Sequence, residues 1–156
     1  MIEYNKVEAS QADMLAKVRV DFLSEINQIT DNGQKELLLN NNREYMSKAL
    51  SDGSFICWAA MENKSVVGMS SVSFYSYPPS GKCPNGRVAY ISGVFTYLPY
   101  RGRGIATKLF SLVLEEAKAV HCSKIILSAT EMGRKLYKKF GFTDVDNDMA
   151  YYENRQ

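Results

Sequence analysis

The sequence predicts an α/β (α+β) domain with a mixed, mostly antiparallel central sheet of six to seven strands, flanked by about four helices. Three observations support this fold class. Segments rich in β-branched and aromatic residues alternate with segments that repeat apolar residues every three or four positions. Strand-like segments follow one another directly in the middle of the chain, which favours antiparallel pairing. A helical segment separates two later strands, which favours a β-α-β crossover.

The first third of the chain is expected to contain one strand and two helices. Ile2 to Val7 is strand-like, and Ser10 with Asp13 resembles a capping box that opens a helix. The apolar residues that recur at helical spacing in this first helix are Leu15, Val18, Phe22, Ile26 and Ile29. A second helix is expected from Gln34 to Leu50, and its run Asn40 to Asn42 predicts a break, because asparagine favours helices poorly.

A β-hairpin is expected next, because Ser54 to Met61 and Ser65 to Tyr75 are rich in strand formers and flank a short turn. The prolines and glycines of Ser76 to Arg87 predict a loop. The elements expected after this loop are a strand at Arg87 to Thr96, a helix at Gly104 to Val120, a strand at Lys124 to Ser128, a helix at Gly133 to Phe140, and one or two strands at Phe142 to Tyr152.

Size and composition predict one domain over residues 1–156. The chain is 46% apolar and 23% charged, as is usual for globular domains. Its net charge of +2 is too near neutral for a domain devoted to nucleic acid. The longest apolar run, Phe55 to Met61, is far shorter than the roughly 20 residues of a membrane span, and the first residues do not resemble a signal peptide. We therefore expect a cytoplasmic protein without nucleic-acid or membrane partners.

The three cysteines do not suggest a metal site or a disulfide framework. Cys57, Cys83 and Cys122 are far apart in the chain and have no CxxC or Cys/His spacing. Free thiols and no bound metal are the expectation.

The segment Tyr100 to Ala106, YRGRGIA, places two glycines and two arginines between a predicted strand and a predicted helix. A helix N-terminus offers unpaired N–H donors and the positive end of the helix dipole, so this arrangement suits a pyrophosphate. Gly102 and Gly104 would let phosphate oxygens approach the backbone. Arg101 and Arg103 would add positive charge and forked donors.

Two familiar phosphate motifs do not fit this loop. A GxGxxG motif needs a glycine where Thr107 stands, and a Walker motif needs a GK[ST] ending that is absent. Taken alone, the loop also fits a glycine turn with solvated arginines. The RGR triplet also fits a nucleic-acid patch.

With this loop in place, the chain resembles the GCN5-related N-acetyltransferase (GNAT) family, whose signature is [RQ]xxGx[GA]. The signature stands here as Arg101 to Ala106, preceded by ISGVFTYLPY and followed by GRKLYKKFGF at Gly133 to Phe142. Three segments in the family's order are more specific than a glycine loop, and the resemblance runs from about Ser54 to Phe142. It implies a GNAT-like fold, acetyl-CoA as co-substrate and an amine as acceptor.

The resemblance also implies roles for particular residues. Those implied to bind acetyl-CoA are Val94, Phe95, Thr96, Arg101, Gly102, Arg103, Gly104, Ile105, Ala106 and Thr130. The three strand residues would pair with the pantetheine arm like an added strand, and the loop amides would hold the pyrophosphate. Thr130 replaces an asparagine that often touches this arm in the family. Tyr137 falls where the family's tyrosine reaches the thioester sulfur, although it also fits a packing residue of an amphipathic helix.

Direct attack of an amine on the thioester requires an oxyanion donor, a base and a proton for the departing thiolate. We expect Tyr137 to supply that proton, and the amide of Val94 or its neighbour to stabilise the oxyanion. The base is unassigned, since many family members use ordered water. The side chains considered for it are Asp21, Glu25, Glu131 and His121. The last two fit structural roles at helix ends better.

The function that follows is acetyl transfer from acetyl-CoA to a primary amine of a small molecule, a peptide or a protein. The first two helices, the hairpin and the loop Ser76 to Arg87 would build the acceptor site, and the tyrosines that could line it are Tyr75, Tyr77, Tyr90 and Tyr97. A non-catalytic acyl-CoA sensor and a nucleic-acid module are the alternatives. A homodimer is consistent with the family. The sequence does not identify the amine.

Overall fold

The sheet of the protein has five strands within residues 1–145 and 147–153, which are the residues that the computed structural model describes. The elements in chain order are β1 (Glu3–Lys6), α1 (Ala12–Glu25), α2 (Asn32–Asp52), β2 (Phe55–Glu62), β3 (Ser65–Ser76), β4 (Arg87–Thr96), α3 (Ile105–Ala119), β5 (Lys124–Leu127) and α4 (Glu131–Lys139). Short 3-10 turns at Ala9–Gln11 and Leu98–Tyr100 precede α1 and the loop before α3.

The strands lie in sequence order across the sheet. β1 to β4 pair antiparallel, and β5 pairs parallel to β4 after the crossover through α3. Asn63 and Lys64, with φ of +50° and +67°, form the tight turn of the β2–β3 hairpin. The mixed, mostly antiparallel sheet and the four flanking helices of the predicted fold class are confirmed.

A β-bulge interrupts β4 near its end. Met69 faces Phe95 whereas Ser71 faces Ser92, so β4 carries one extra residue opposite the single residue between Met69 and Ser71. Gly93 has a left-handed φ of +64°, which glycine adopts easily and which occurs in one common type of bulge. The bulge turns the strand just before its last residues.

β4 and β5 diverge beyond this bulge. Their pairing ends where Ile91 meets Leu127, whereas the pairing of β4 with β3 continues to Thr96. The last residues of β4 therefore have no strand neighbour on the β5 side within the described chain. A cleft opens between the two strands at this point.

Helices cover both faces of the sheet. On one face α1 and α2 pack against β2 and the ends of β3 and β4, with Leu15, Met46 and Cys57 in the core. On the other face α3 and α4 pack around Phe110, whose ring lies within 4.9–5.6 Å of three other aromatic rings. The cleft between β4 and β5 lies at the boundary of these two layers.

The sheet has five strands in the described residues rather than six to seven, because the predicted strands at Phe142 to Tyr152 are not formed there. Residues 143–145 and 147–153 are exposed, and Met149 is 99% exposed. The described residues of this segment form no strand and extend no edge of the sheet. Asp146, inside the predicted range, lies outside the described residues.

The cap before α1 and the course of α2 differ from the sequence prediction. The cap before α1 is formed by Glu8 and Gln11, since the Glu8 N–H donates to Gln11 Oε1 at 2.9 Å, and not by Ser10 with Asp13. The predicted break in α2 is wrong, because the helix runs without interruption through its asparagines. Asp31 Oδ1 caps it by accepting from the Gln34 N–H at 2.8 Å.

Candidate acetyl-CoA site

A pocket of about 390 Å³ lies where β4 and β5 diverge. It is lined from α1, the end of β4, the loop before α3, and α4. All predicted site residues except Arg103 line it: Val94, Phe95, Thr96, Arg101, Gly102, Gly104, Ile105, Ala106, Thr130 and Tyr137. The structure thus brings together residues that lie up to 43 positions apart, from Val94 to Tyr137.

The first turn of α3 faces this pocket with free backbone donors. Gly104 is the N-cap, in the left-handed conformation with φ of +77°, and no side chain caps the helix. The Lys108 N–H donates to the Gly104 carbonyl at 3.1 Å, as the first bond of the helix. The amides of Ile105 and Ala106 have no intrahelical acceptor, so they are available to an anion.

The two arginine side chains of the loop are held by the protein. Arg101 Nε donates to the Thr96 carbonyl at 2.8 Å, and its Nη2 contacts both carboxylate oxygens of Glu25 at 2.6–2.7 Å. Arg103 Nη2 donates to the Pro99 carbonyl at 3.3 Å, and its guanidinium lies over the Tyr100 ring. In this conformation the loop presents its amides to the pocket, while the guanidinium of Arg101 ties it to α1.

The end of β4 forms one wall of the pocket. Residues 94–96 lie beyond the last pairing with β5, so this edge can accept an added strand. Thr96 Oγ1 is buried in the wall and has no hydrogen-bond partner among the described residues. A buried hydroxyl without a partner is costly, so a ligand that bonds to it would gain free energy.

Tyr137 lies at the inner end of the pocket, on α4. Its side chain is 7% exposed and its ring packs 5.1 Å from that of Phe110. The ring also covers Gly133 so closely that a Cβ at that glycine would lie 2.7 Å from the phenol oxygen. Burial raises the pKa of Tyr137, so the phenol stays protonated and remains a donor near neutral pH.

The other acidic and capping residues have structural partners. Thr130 Oγ1 accepts from the Gly133 N–H at 3.2 Å as the N-cap of α4, and Glu131 follows it in the first turn. Asp21 accepts a 2.6 Å hydrogen bond from the Tyr97 hydroxyl. His121 is exposed in the turn after α3. Glu25 is engaged with Arg101, so none of the candidate bases lies free in the pocket.

The sequence reasoning missed the part of the pocket wall that α1 contributes. Phe22 and Ile26 line the pocket, and the Phe22 ring lies 5.5 Å from that of Phe95. Both residues belong to the apolar stripe of α1, whose period also fits simple core packing. Their position at a pocket depends on where α1 crosses β4, and the sequence pattern carries no signal for that crossing.

The residues present fit the parts of coenzyme A. Uncapped amides at a helix N-terminus suit the pyrophosphate, an open strand edge with an orphan hydroxyl suits the amide-bearing pantetheine arm, and an apolar wall suits its methylenes. No group of three or more His, Cys, Asp or Glu side chains in the described residues could hold a metal ion. None of the helices described is long and apolar enough to cross a membrane.

Comparison with known proteins identifies the family of the chain. The model of the acetyltransferase (GNAT) family matches residues 21–142, which contain the whole pocket. The chain therefore belongs to the GNAT family of acetyltransferases. Its structure resembles that of a predicted acetyltransferase with acetyl-CoA from Clostridium acetobutylicum, with a TM-score of 0.86, 29% identity, and coverage of 97% of this chain and 96% of that one.

Two further proteins are similar to the chain, one in structure and one in sequence. A GCN5-related N-acetyltransferase from Ralstonia eutropha JMP134 has the same fold, with a TM-score of 0.86 and 20% identity over 97% of this chain and 99% of that one. A probable glucosamine 6-phosphate N-acetyltransferase from Oryza sativa subsp. japonica is 34% identical over 67 residues. That match spans 43% of this chain and 40% of the rice protein.

Proposed function

We propose that the protein transfers the acetyl group of acetyl-CoA to a primary amine of a small molecule, a peptide or a protein by direct attack. The observation that carries this proposal is the single pocket that joins the uncapped start of α3, the open edge of β4 and the buried Tyr137. Each of these features fits one part of the coenzyme or one step of the transfer. The activity would be cytoplasmic, and the rice relative makes amino sugars one class of acceptor to test.

In this proposal the backbone does most of the binding. The amides of residues 101–106 hold the pyrophosphate, and residues 94–96 pair with the pantetheine arm as a strand would. Thr96 Oγ1, which lacks a partner among the described residues, gains one. Thr130 lies beside the arm, while its hydroxyl caps α4.

The chemistry places two groups around the thioester, which supplies the activated acetyl group. The amide of Val94, which follows the bulge at Gly93, faces the developing oxyanion. The phenol of Tyr137 donates its proton to the departing thiolate. A base among the described side chains is not required, because ordered water can remove the proton of the attacking amine.

Thermal unfolding with acetyl-CoA tests the binding site. A ligand that binds only the folded state at about a hundred times its Kd adds roughly 2.7 kcal/mol to the free energy of unfolding. We expect a clear rise of Tm in the wild type, and its loss in Gly104→Glu, which puts a carboxylate where the pyrophosphate should lie.

The control is Gly104→Gln, which introduces a side chain of the same size and the same left-handed strain without the charge. It should keep more of the shift than Gly104→Glu. No shift in the wild type at millimolar acetyl-CoA would contradict the proposal. A shift without turnover on any amine of a panel that includes glucosamine, glucosamine 6-phosphate, aminoglycosides and peptides would indicate an acyl-CoA sensor.

A further inference from the structure

One arginine of α1, which is expected to help build the acceptor site, has no hydrogen-bond or ion-pair partner in the described part of the chain. Arg19 lies on α1 and is partly buried, yet neither a hydrogen bond nor an ion pair holds its guanidinium there. Its neighbours include the Phe22 ring, whose centroid is 5.5 Å from the guanidinium carbon, and the phenol of Tyr90. The other arginines of this region, Arg43 and Arg101, form ion pairs with carboxylates.

The position of Arg19 connects it to the reacting end of the pocket. A Cβ on Gly93 would lie 3.4 Å from Arg19 Nη1, so the guanidinium lies close to the bulge of β4. The next residue, Val94, lines the pocket, and so does Phe22 under the guanidinium. Arg19 therefore lies beside the proposed acetyl site, on the α1 face of the sheet, whereas Tyr137 lies on the α4 face.

Hydroxyl groups lie near this arginine on the strand face. Tyr90 and Ser92 alternate along β4 toward α1, and Ser71 on β3 donates to the Ser92 carbonyl at 2.8 Å. The phenol of Tyr90 makes no hydrogen bond within the described residues. This patch thus combines the positive charge of Arg19 with the phenol of Tyr90, which can still donate a hydrogen bond. Among the described residues, no carboxylate contributes to the pKa of Arg19.

Removing an arginine from water without a counter-charge costs free energy. Desolvation lowers the pKa of Arg19, and the phenol of Tyr90 is the other group that affects it. A guanidinium presents a planar fork of donors that matches the two oxygens of a carboxylate or a phosphate. An anion from outside the chain would satisfy this group and would be held next to the thioester.

We propose that Arg19, with Tyr90, binds an anionic group of the acceptor, so that the preferred substrates are primary amines that also carry a phosphate or a carboxylate. This specificity site rests on the proposed acetyltransferase function. The guanidinium binds the phosphate or carboxylate of the acceptor and thereby directs its amine toward the bulge at Gly93.

Binding of matched amine pairs to the protein loaded with coenzyme A tests this site. The phosphate pair is O-phosphoethanolamine with ethanolamine, and the carboxylate pair is γ-aminobutyrate with γ-aminobutyramide. We expect the charged member of at least one pair to bind at least tenfold tighter in the wild type, and Arg19→Gln to weaken that member about ten- to a hundredfold. The pair that responds distinguishes phosphate from carboxylate.

Two further variants make the result specific to Arg19. Lys17→Gln removes the same charge from the exposed side of α1 and should leave both pairs unchanged. Arg19→Lys keeps the charge but loses the fork, so its binding should be intermediate, which also covers the case in which Arg19→Gln does not fold. Equal binding within both pairs, no binding of either charged member, or equal losses for charged and neutral members would overturn the proposal.

Turnover is measured separately, as release of the coenzyme A thiol with the same amines. Charged amines that bind through Arg19 but are not acetylated would contradict the proposed function and leave the anion site standing. Acetylation of charged amines that is as fast in Arg19→Gln as in the wild type would contradict the anion site and leave the proposed function standing.

Discussion

Tyr137 owes its position to one glycine on the preceding helical turn. Its ring covers Gly133, where a Cβ would lie 2.7 Å from the phenol oxygen and from the Cε2 atom. The ring is held on its other side by Phe110 and Phe142, at 5.1 and 6.5 Å between centroids. A side chain at position 133 must therefore move the phenol.

Gly133→Ala is expected to lower kcat about tenfold while keeping the Tm shift with acetyl-CoA. Alanine favours a helix over glycine by about 1 kcal/mol, so global stability should not fall greatly. Tyr137→Phe, which removes the proton donor, should lower kcat by about a hundredfold. Gly81→Ala is the control, because its Cβ would meet no atom within 4 Å. Full kcat in Tyr137→Phe across the pH range would refute the donor role.

The caps of α2 determine where this helix begins and ends. The helix begins after Asp31, which accepts from the Gln34 N–H, and ends at Gly53, which has the left-handed φ of +81°. Within it, Asn42 Nδ2 donates to the Leu38 carbonyl at 2.8 Å, so this asparagine bonds to the helix instead of breaking it. Two good caps and the buried residues Met46 and Ala49 outweigh a poor central run.

Asp31→Ala should lower the free energy of unfolding by about 1 kcal/mol, because the first turn of α2 loses its side-chain acceptor. For a chain of this size that corresponds to a fall in Tm of about 2–4 °C. Asp31→Asn retains an acceptor and should stay near the wild-type value. Chemical denaturation of the three proteins measures the difference, and equal stability of wild type and Asp31→Ala would show that the cap contributes nothing.

Several thiols and phenols of the molecule have a raised pKa in the folded state and therefore stay protonated there to higher pH. Burial raises the pKa of Cys57 and of Tyr137, and burial followed by the hydrogen bond with Asp21 raises that of Tyr97. In the unfolded chain these groups lose their protons near pH 8.5 for cysteine and 10 for tyrosine, roughly. Above those values the unfolded state holds fewer protons than the folded state, so alkaline pH favours unfolding.

We therefore expect the free energy of unfolding to be constant between about pH 6 and 8 with respect to these groups, and to fall steadily above about pH 9. Denaturation curves from pH 7 to 11 measure this. Tyr137→Phe removes one of the shifted groups, so its decline above pH 10 should be shallower than that of the wild type. Parallel curves for the two proteins would show that Tyr137 titrates alike in both states.

The features that depend on local chemistry could be predicted from the sequence. The order of the five strands and four helices in the described residues, the loop at residues 77–86 and the glycine-bearing start of α3 all follow from propensities, turn residues and spacing within short windows. The family signature belongs to the same level, since Arg101 to Ala106 are contiguous. The predicted coenzyme residues lie together because they sit on neighbouring ends of β4, α3 and α4.

How those elements meet could not be predicted from the sequence. The bulge at Gly93, the divergence of β4 from β5, the contact of Arg101 with Glu25 and the unpaired state of Arg19 within the described chain all depend on residues distant in sequence. Helical periodicity gives α1 one buried stripe but does not say that Phe22 faces a pocket and Arg19 the bulge. Such contacts arise when packing sets where one element crosses another, and local pattern does not encode that crossing.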